Sequence, residues 1–262
     1  MNTDKSPKVY AVQCGGDMTN WAALDPYDER AGTFVYMPTF FYVVKHAEGV
    51  VLFDSGYHPA LATDPEARIG DAAAVFQVEI EADDDLTSTL GRIGLKPSDV
   101  DLVIQSHLHF DHAGGLGELR QAEVMVQGSE LAFARNPPLY QRDLYVQDDF
   151  ADPINWVELD GDRDVFGDGR LQIVQTPGHT AGHQSLMVHL DSQSLFLLAD
   201  AAYLLSKMRE RILPVVLWNP DVMMDSWDRI EELEKEHDAF LITTHDIDFR
   251  ERLKLAPESW YE

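Results

Sequence analysis

Short apolar runs rich in Val, Ile, Leu and Phe recur along the chain, at residues 8–12, 34–44, 50–53, 102–105, 124–126, 171–175, 185–190, 195–198 and 240–243. Their length and composition predict strands. Two stretches instead carry helical spacing: residues 85–93, where Leu86, Leu90 and Ile93 share a face, and residues 221–236, where Val222, Trp227, Ile230 and Leu233 do. Turn-like residues between 44 and 50, and again between 190 and 195, predict two hairpins. Many short strands with helices between them predict an α/β (α+β) fold of two sheets covered by helices. Residues 15–32 and 136–156 show no regular pattern, and the second is aromatic for a loop. Long loops of this kind usually form lids or binding walls.

The chain has 262 residues, 45% of them hydrophobic, enough to bury a sizeable core, and residues 1–262 are read as a single domain. Acidic side chains number 46 against 20 basic ones, a formal charge of -26. Such a field repels nucleic acid and anionic membranes and favours small neutral partners; it also suits a high-salt environment. A lone cysteine, Cys14, excludes an intrachain disulfide and leaves no cysteine pair for a structural zinc. The first residues carry charges where a signal peptide needs an apolar run, and no apolar stretch reaches the roughly 18 residues of a membrane span. A cytoplasmic protein is expected.

Directly after the run 102–105 comes SHLHFDHAGG, which sets His107, His109, Asp111 and His112 within six residues. On extended backbone His107 and His109 point the same way, and the following turn can bring Asp111 and His112 round to a second position nearby. One strand end can therefore feed two metal ions. Each ion needs three or four ligands, so more must come from later in the chain. His179 in TPGH, Asp200 closing the run 195–199 and His245 closing the run 240–244 all stand at the ends of expected strands. Imidazole and carboxylate together suit zinc, with manganese, iron or cobalt as alternatives, and disfavour calcium.

The combination HLHFDHAGG, TPGH, a later Asp after an apolar strand and a late His resembles the metallo-β-lactamase superfamily, from about Val51 to His245. The resemblance implies a four-layer αβ/βα sandwich with two metal ions at the edge between its sheets. It implies His107, His109 and His179 around the first ion, Asp111, His112 and His245 around the second, and Asp200 bridging. Asp54 matches the superfamily's Asp-Thr-Gly strand end, with Ser55 in place of Thr, and is expected to orient a ligand histidine. His183 is expected to pack behind the ligands. Phe110, the run HTAGHQS and a tyrosine three residues after Asp200 look like the N-acyl-homoserine lactonases, the quorum-quenching lactonases.

That likeness implies a hydrolase opening a lactone ring with water activated between two metals. Tyr203 would reach the substrate carbonyl and Asp111 would carry a proton to the leaving oxygen. Met18, Trp21 and Leu24 in the first long loop, Phe110, and Tyr140, Tyr145 and Phe150 in the second are candidates for an apolar pocket. The same aromatic loops could cover a subunit interface, which leaves a homodimer open. Rival readings share the metal core. A hydrolase of γ-butyrolactone or a pyridoxine-derived lactone stands nearest. A glyoxalase II type thioesterase lacks a basic helical extension here, a nuclease is disfavoured by charge, and a redox metal protein would require iron and a partner carrier.

Overall fold

The computed structural model describes residues 6–151 and 153–262. One sheet holds β1 (Lys8–Asn20), β2 (Phe34–His46), β3 (Gly49–Phe53), β4 (Phe76–Glu79), β5 (Leu102–Ile104), β6 (Glu123–Gln127) and β7 (Asn155–Leu159), in the order β4-β1-β2-β3-β5-β6-β7. A second holds β8 (Arg163–Asp164), β9 (Leu171–Gln175), β10 (Gln184–His189), β11 (Ser194–Ala199) and β12 (Ala239–Thr243), in the order β12-β11-β10-β9-β8. Both expected hairpins form, β2 with β3 and β10 with β11.

The apolar runs are continuous because most inner strands are buried on both faces. Phe40, Tyr42 and Val44 of β2 face the second sheet, meeting Leu186, Val188, Leu195 and Leu197, while Phe41 and Val43 face the other way. Those outward side chains are covered by α2 (Leu86–Arg92) and α4 (Gly128–Arg135), through Leu86, Leu90 and Leu131. The helices α1 (Pro65–Ile69) and α3 (Phe110–Ala113) complete that side. On the far side Phe196, Leu198 and Leu241 pack under α6 (Pro220–His237), whose apolar stripe presents Met223, Trp227 and Ile230. The short helices α5 (Leu205–Glu210) and α7 (Ile247–Arg250) flank it. Helices, sheet, sheet and helices make four layers, as the resemblance implied.

Two segments expected to be irregular differ. Gly15 and Gly16 break the apolar pattern, yet β1 continues to Asn20 through a register shift between Gln13 and Gly16 and pairs with both β2 and β4. A Cβ on Gly16 would lie 2.3 Å from the Met37 carbonyl oxygen, so the shift depends on glycine there. Among the described residues of 136–156 there are only short 3₁₀ turns at Arg142–Leu144 and Gln147–Asp149 before β7 begins. Among the described residues no helix is long and apolar enough to cross a membrane.

Candidate metal centre

Four strand ends converge at one edge of the sandwich. His107 and His109 follow β5, and His109 leads into α3, whose single turn carries Asp111 and His112. His179 sits in the β9–β10 loop, Asp200 directly after β11 and His245 shortly after β12. Two backbone features aim these side chains. Ala199 adopts φ 46° where the β11–β12 register shifts, a left-handed conformation costly for alanine, and this turns Asp200 off the strand line. Gly178 has φ 137°, and a Cβ there would lie 2.4 Å from Met223 Cα, so the loop bearing His179 rests directly on α6.

The result is two adjoining groups, His107, His109 and His179 in one and Asp111, His112, Asp200 and His245 in the other, with ligand atoms inside each group within 4.8 Å of one another. Asp200 spans them. Its Oδ2 lies 3.5 Å from His179 Nε2 and 3.9 Å from His107 Nε2, while Oδ1 lies 3.2 Å from the Nε2 atoms of both His112 and His245. Asp111 Oδ2 stands 3.3 Å from His112 Nε2 and 3.4 Å from His245 Nε2.

Four of the rings are fixed from behind. His112 Nδ1 donates to Asp54 Oδ2 at 2.8 Å, His179 Nδ1 to the Val216 carbonyl at 3.1 Å and His245 Nδ1 to the Pro38 carbonyl at 3.0 Å. The Ser106 hydroxyl donates to Asp54 Oδ2 at 2.8 Å and lies 2.9 Å from His107 Nδ1. With Nδ1 protonated against these acceptors, each Nε2 presents a lone pair to the centre. Asp54 thus orients two rings, and it also accepts from the Ser106 N–H at 2.7 Å, holding φ 66° to do so. His183 is buried with Nδ1 2.9 Å from the Thr176 hydroxyl, its ring 5.3 Å from that of His107.

Sequence reasoning missed Glu130, a fully buried carboxylate in the first turn of α4. It accepts from the Leu108 N–H at 3.1 Å, the Tyr145 hydroxyl at 3.1 Å, the Thr180 hydroxyl at 2.6 Å and the Gly182 N–H at 3.1 Å. One side chain therefore ties the loop of His107 and His109 to the loop of His179. Gly182 approaches so closely that a Cβ would meet the Glu130 backbone nitrogen at 2.2 Å.

Burial lowers the affinity of His107, His109 and His179 for protons, so these three stay neutral and can donate lone pairs. Burial acts the same way on His245, but the carboxylates of Asp200 and Asp111 outweigh it and push the pKa up to about 10. The buried carboxylates demand positive charge, and protons on His112 and His245 are one way to meet that demand. A metal cation is the other. The Nε2 atoms of His107 and His112 and Oδ1 of Asp200 are buried without a hydrogen-bond partner among the described residues, and His109 turns its Nδ1 to within 3.1 Å of His179 Nε2, an arrangement that cations complete. The donor set fits a dinuclear metal site.

A cavity opens over the centre. Its polar side is formed by Asp17, Thr19, Asp111, Asp200, Tyr203 and His245. Its apolar side is formed by Leu24, Met37, Phe76, Phe110, Leu144 and Val216. The Tyr203 ring stands 5.5 Å from His179 and 5.6 Å from His245, with the hydroxyl 3.4 Å from His179 Nδ1. Burial, then the Asp200 and Asp111 carboxylates, hold that phenol well above its usual pKa, so it keeps its proton as a donor. Of the pocket candidates, Phe110 and Leu24 line this cavity and Trp21 lines the adjoining one. Met18 stands outside it, and Tyr140 is 63% exposed. Tyr145 and Phe150 are buried in the core, the Tyr145 ring packing against His109 from behind at 4.7 Å. Met18 follows Asp17 on a strand, so its side chain takes the opposite face.

Residues 36–245 match the metallo-beta-lactamase superfamily. The chain is 36% identical over 228 residues to the N-acyl homoserine lactonase AttM of Rhizobium radiobacter, covering 85% of this chain and 87% of the relative. It is 29% identical over 254 residues to the N-acyl homoserine lactonase AiiA of Bacillus thuringiensis subsp. kurstaki, covering 96% and 98%. A solved N-acyl homoserine lactone hydrolase with N-hexanoyl-L-homoserine bound at its catalytic metal centre superposes with a TM-score of 0.88 at 26% identity, over 97% of this chain and 99% of that one. With the match running from within the second strand to the last histidine of the cluster, this chain belongs to the metallo-beta-lactamase superfamily.

Proposed function

We propose that the protein is a metal-dependent lactonase that opens the ring of N-acyl homoserine lactones to give N-acyl homoserines. One observation carries this reading: Tyr203 and Asp111 line the same cavity as the two ligand groups that Asp200 spans, and its other side is apolar. The relatives named as N-acyl homoserine lactonases support the substrate class. So does a formal charge of -26, which a neutral lactone tolerates and a polyanion does not.

His107, His109 and His179 would hold one metal ion and Asp111, His112 and His245 the other, with Asp200 shared. Zinc suits five imidazoles and two carboxylates. When bound, two such ions supply a water acidified enough to act as nucleophile at neutral pH and polarise the ester carbonyl. The chain's own residues do the rest. Tyr203 donates its hydroxyl to the carbonyl oxygen as negative charge grows there, and burial makes that donor stronger than it would be in water. Asp111 holds the proton released on attack and returns it to the departing ring oxygen. Leu24, Met37 and Phe110 exclude water from the acyl side.

The test is proton release on ring opening of N-hexanoyl homoserine lactone at neutral pH, by native protein and by protein stripped with a chelator. Fast opening that vanishes on stripping and returns with zinc is the expected outcome. Absence of opening with two metal ions bound per chain would overturn the lactonase reading and favour thioesters.

A further inference from the structure

The mechanism above leaves one buried acid of the cavity without a task. Asp17 lies on β1, level with Met37 of β2 and Val78 of β4, an inner position of the sheet, and is 4% exposed. Its carboxylate accepts from the Thr19 hydroxyl and, at 3.2 Å, from the Tyr57 hydroxyl, which in turn lies 3.0 Å from the Thr39 hydroxyl. Among the described residues no Lys or Arg pairs with it in a salt bridge. Burying a carboxylate without a cation is costly, and an apolar residue would fill an inner strand position more cheaply. Two hydroxyls also leave the group unsaturated, because an ionised carboxylate offers about four acceptor sites. Asp17 and Thr19 line the cavity beside Tyr203, Asp111, Asp200 and His245.

That free acceptor capacity says what the cavity looks for. A plain lactone has only acceptor oxygens and nothing to give a carboxylate. An N-acylamino lactone has one donor, the amide N–H, and it sits on the carbon next to the carbonyl under attack. With the carbonyl at Tyr203 and the ligand groups, the N–H is held within two bonds of the reacting centre, against the nearby wall. We infer that Asp17 accepts a hydrogen bond from the substrate's amide N–H, making it the residue that selects N-acylamino lactones over lactones that lack an N–H. The inference rests on the lactonase reading and deepens it, since it separates that substrate class from γ-butyrolactone and its relatives. Thr19 and Tyr57 act as positioning residues: their hydroxyls fix the carboxylate so that little ordering is left for the substrate to impose.

The experiment compares N-hexanoyl homoserine lactone with 2-hexanoyloxy-γ-butyrolactone, in which an oxygen replaces the N–H at almost unchanged shape, following ring opening of each. A hydrogen bond to a charged acceptor predicts that the wild-type protein favours the N–H compound by roughly 10- to 100-fold in kcat/KM. In Asp17→Leu, which keeps the size and removes every acceptor, the ratio of the two values should fall to within about threefold of one, with metal content per chain unchanged as the check on folding. A wild-type ratio near one overturns the inference by itself, so the test stands even where the variant does not fold. A large ratio that persists in Asp17→Leu overturns the assignment to this residue. Failure to open either lactone with two metals bound strikes the lactonase reading itself, whereas opening both without preference strikes only Asp17.

Discussion

The floor of the cavity and its wall are built in different ways. The seven ligand side chains of the floor stand just beyond β5, β11 and β12, in the single turn of α3 and in the β9–β10 loop, and four of the five imidazoles have their rear nitrogen held by a carbonyl, a carboxylate or a hydroxyl. The wall gathers single residues from β1, β2, β4, α3 and three connecting segments, and most of them meet only through apolar contact. Chemistry that must be placed to fractions of an ångström is thus carried by the rigid sheet edges, and recognition is left to pieces that can change one at a time.

Tyr203 stands where floor and wall meet, and the largest effect is expected there. Tyr203→Phe removes the hydroxyl and nothing else, so kcat for N-hexanoyl homoserine lactone should fall by roughly 10²-fold while KM and metal content change little. Full kcat in that variant would make Tyr203 part of the wall alone. Next in size comes Glu130, whose carboxylate joins the two ligand loops without touching the cavity. Glu130→Gln replaces an acceptor of four hydrogen bonds by a group that must turn its NH₂ toward donors. Metal affinity should drop by about 10- to 100-fold, read by competition with a chromophoric chelator, and Tm should fall by several degrees. If affinity holds and only Tm falls, Glu130 supports the fold and not the floor.

How far the sequence reveals each region follows from the same difference. The floor is legible because His107, His109, Asp111 and His112 are neighbours in the chain, and because Asp200 and His245 each close an apolar run. The layers are legible because residues buried on both faces leave unbroken apolar runs, as 40–44 and 195–198 do. Glu130 carries no such mark: a glutamate in a first helical turn is ordinary, and only the approach of Gly182 and Leu108 in space shows what it holds. Asp17 is hidden for a related reason, since the glycines before it disguise the strand, and its neighbours Tyr57 and Thr39 are distant in sequence. Aromatic content in the segment 136–156 pointed to a wall, yet Tyr145 and Phe150 turn inward and Tyr140 outward.

The smallest effect sharpens the wall itself. Leu24 lines the cavity and is buried, whereas Tyr140 is larger, aromatic and mostly exposed, outside it. On sequence grounds both are pocket candidates; on the geometry only Leu24 of the two lines the cavity. Leu24→Ala removes apolar surface that a chain of six or more carbons would cover, and each lost methylene contact is worth about 0.8 kcal/mol at most. The expected change is a few-fold rise in KM for N-hexanoyl and longer homologues, with little change for the N-acetyl compound. Tyr140→Ala should leave the chain-length series as it is. A shift in that series from Tyr140 instead would mean that the loop bearing it folds over bound substrate, moving the wall outward from where β1, β2 and α3 now set it.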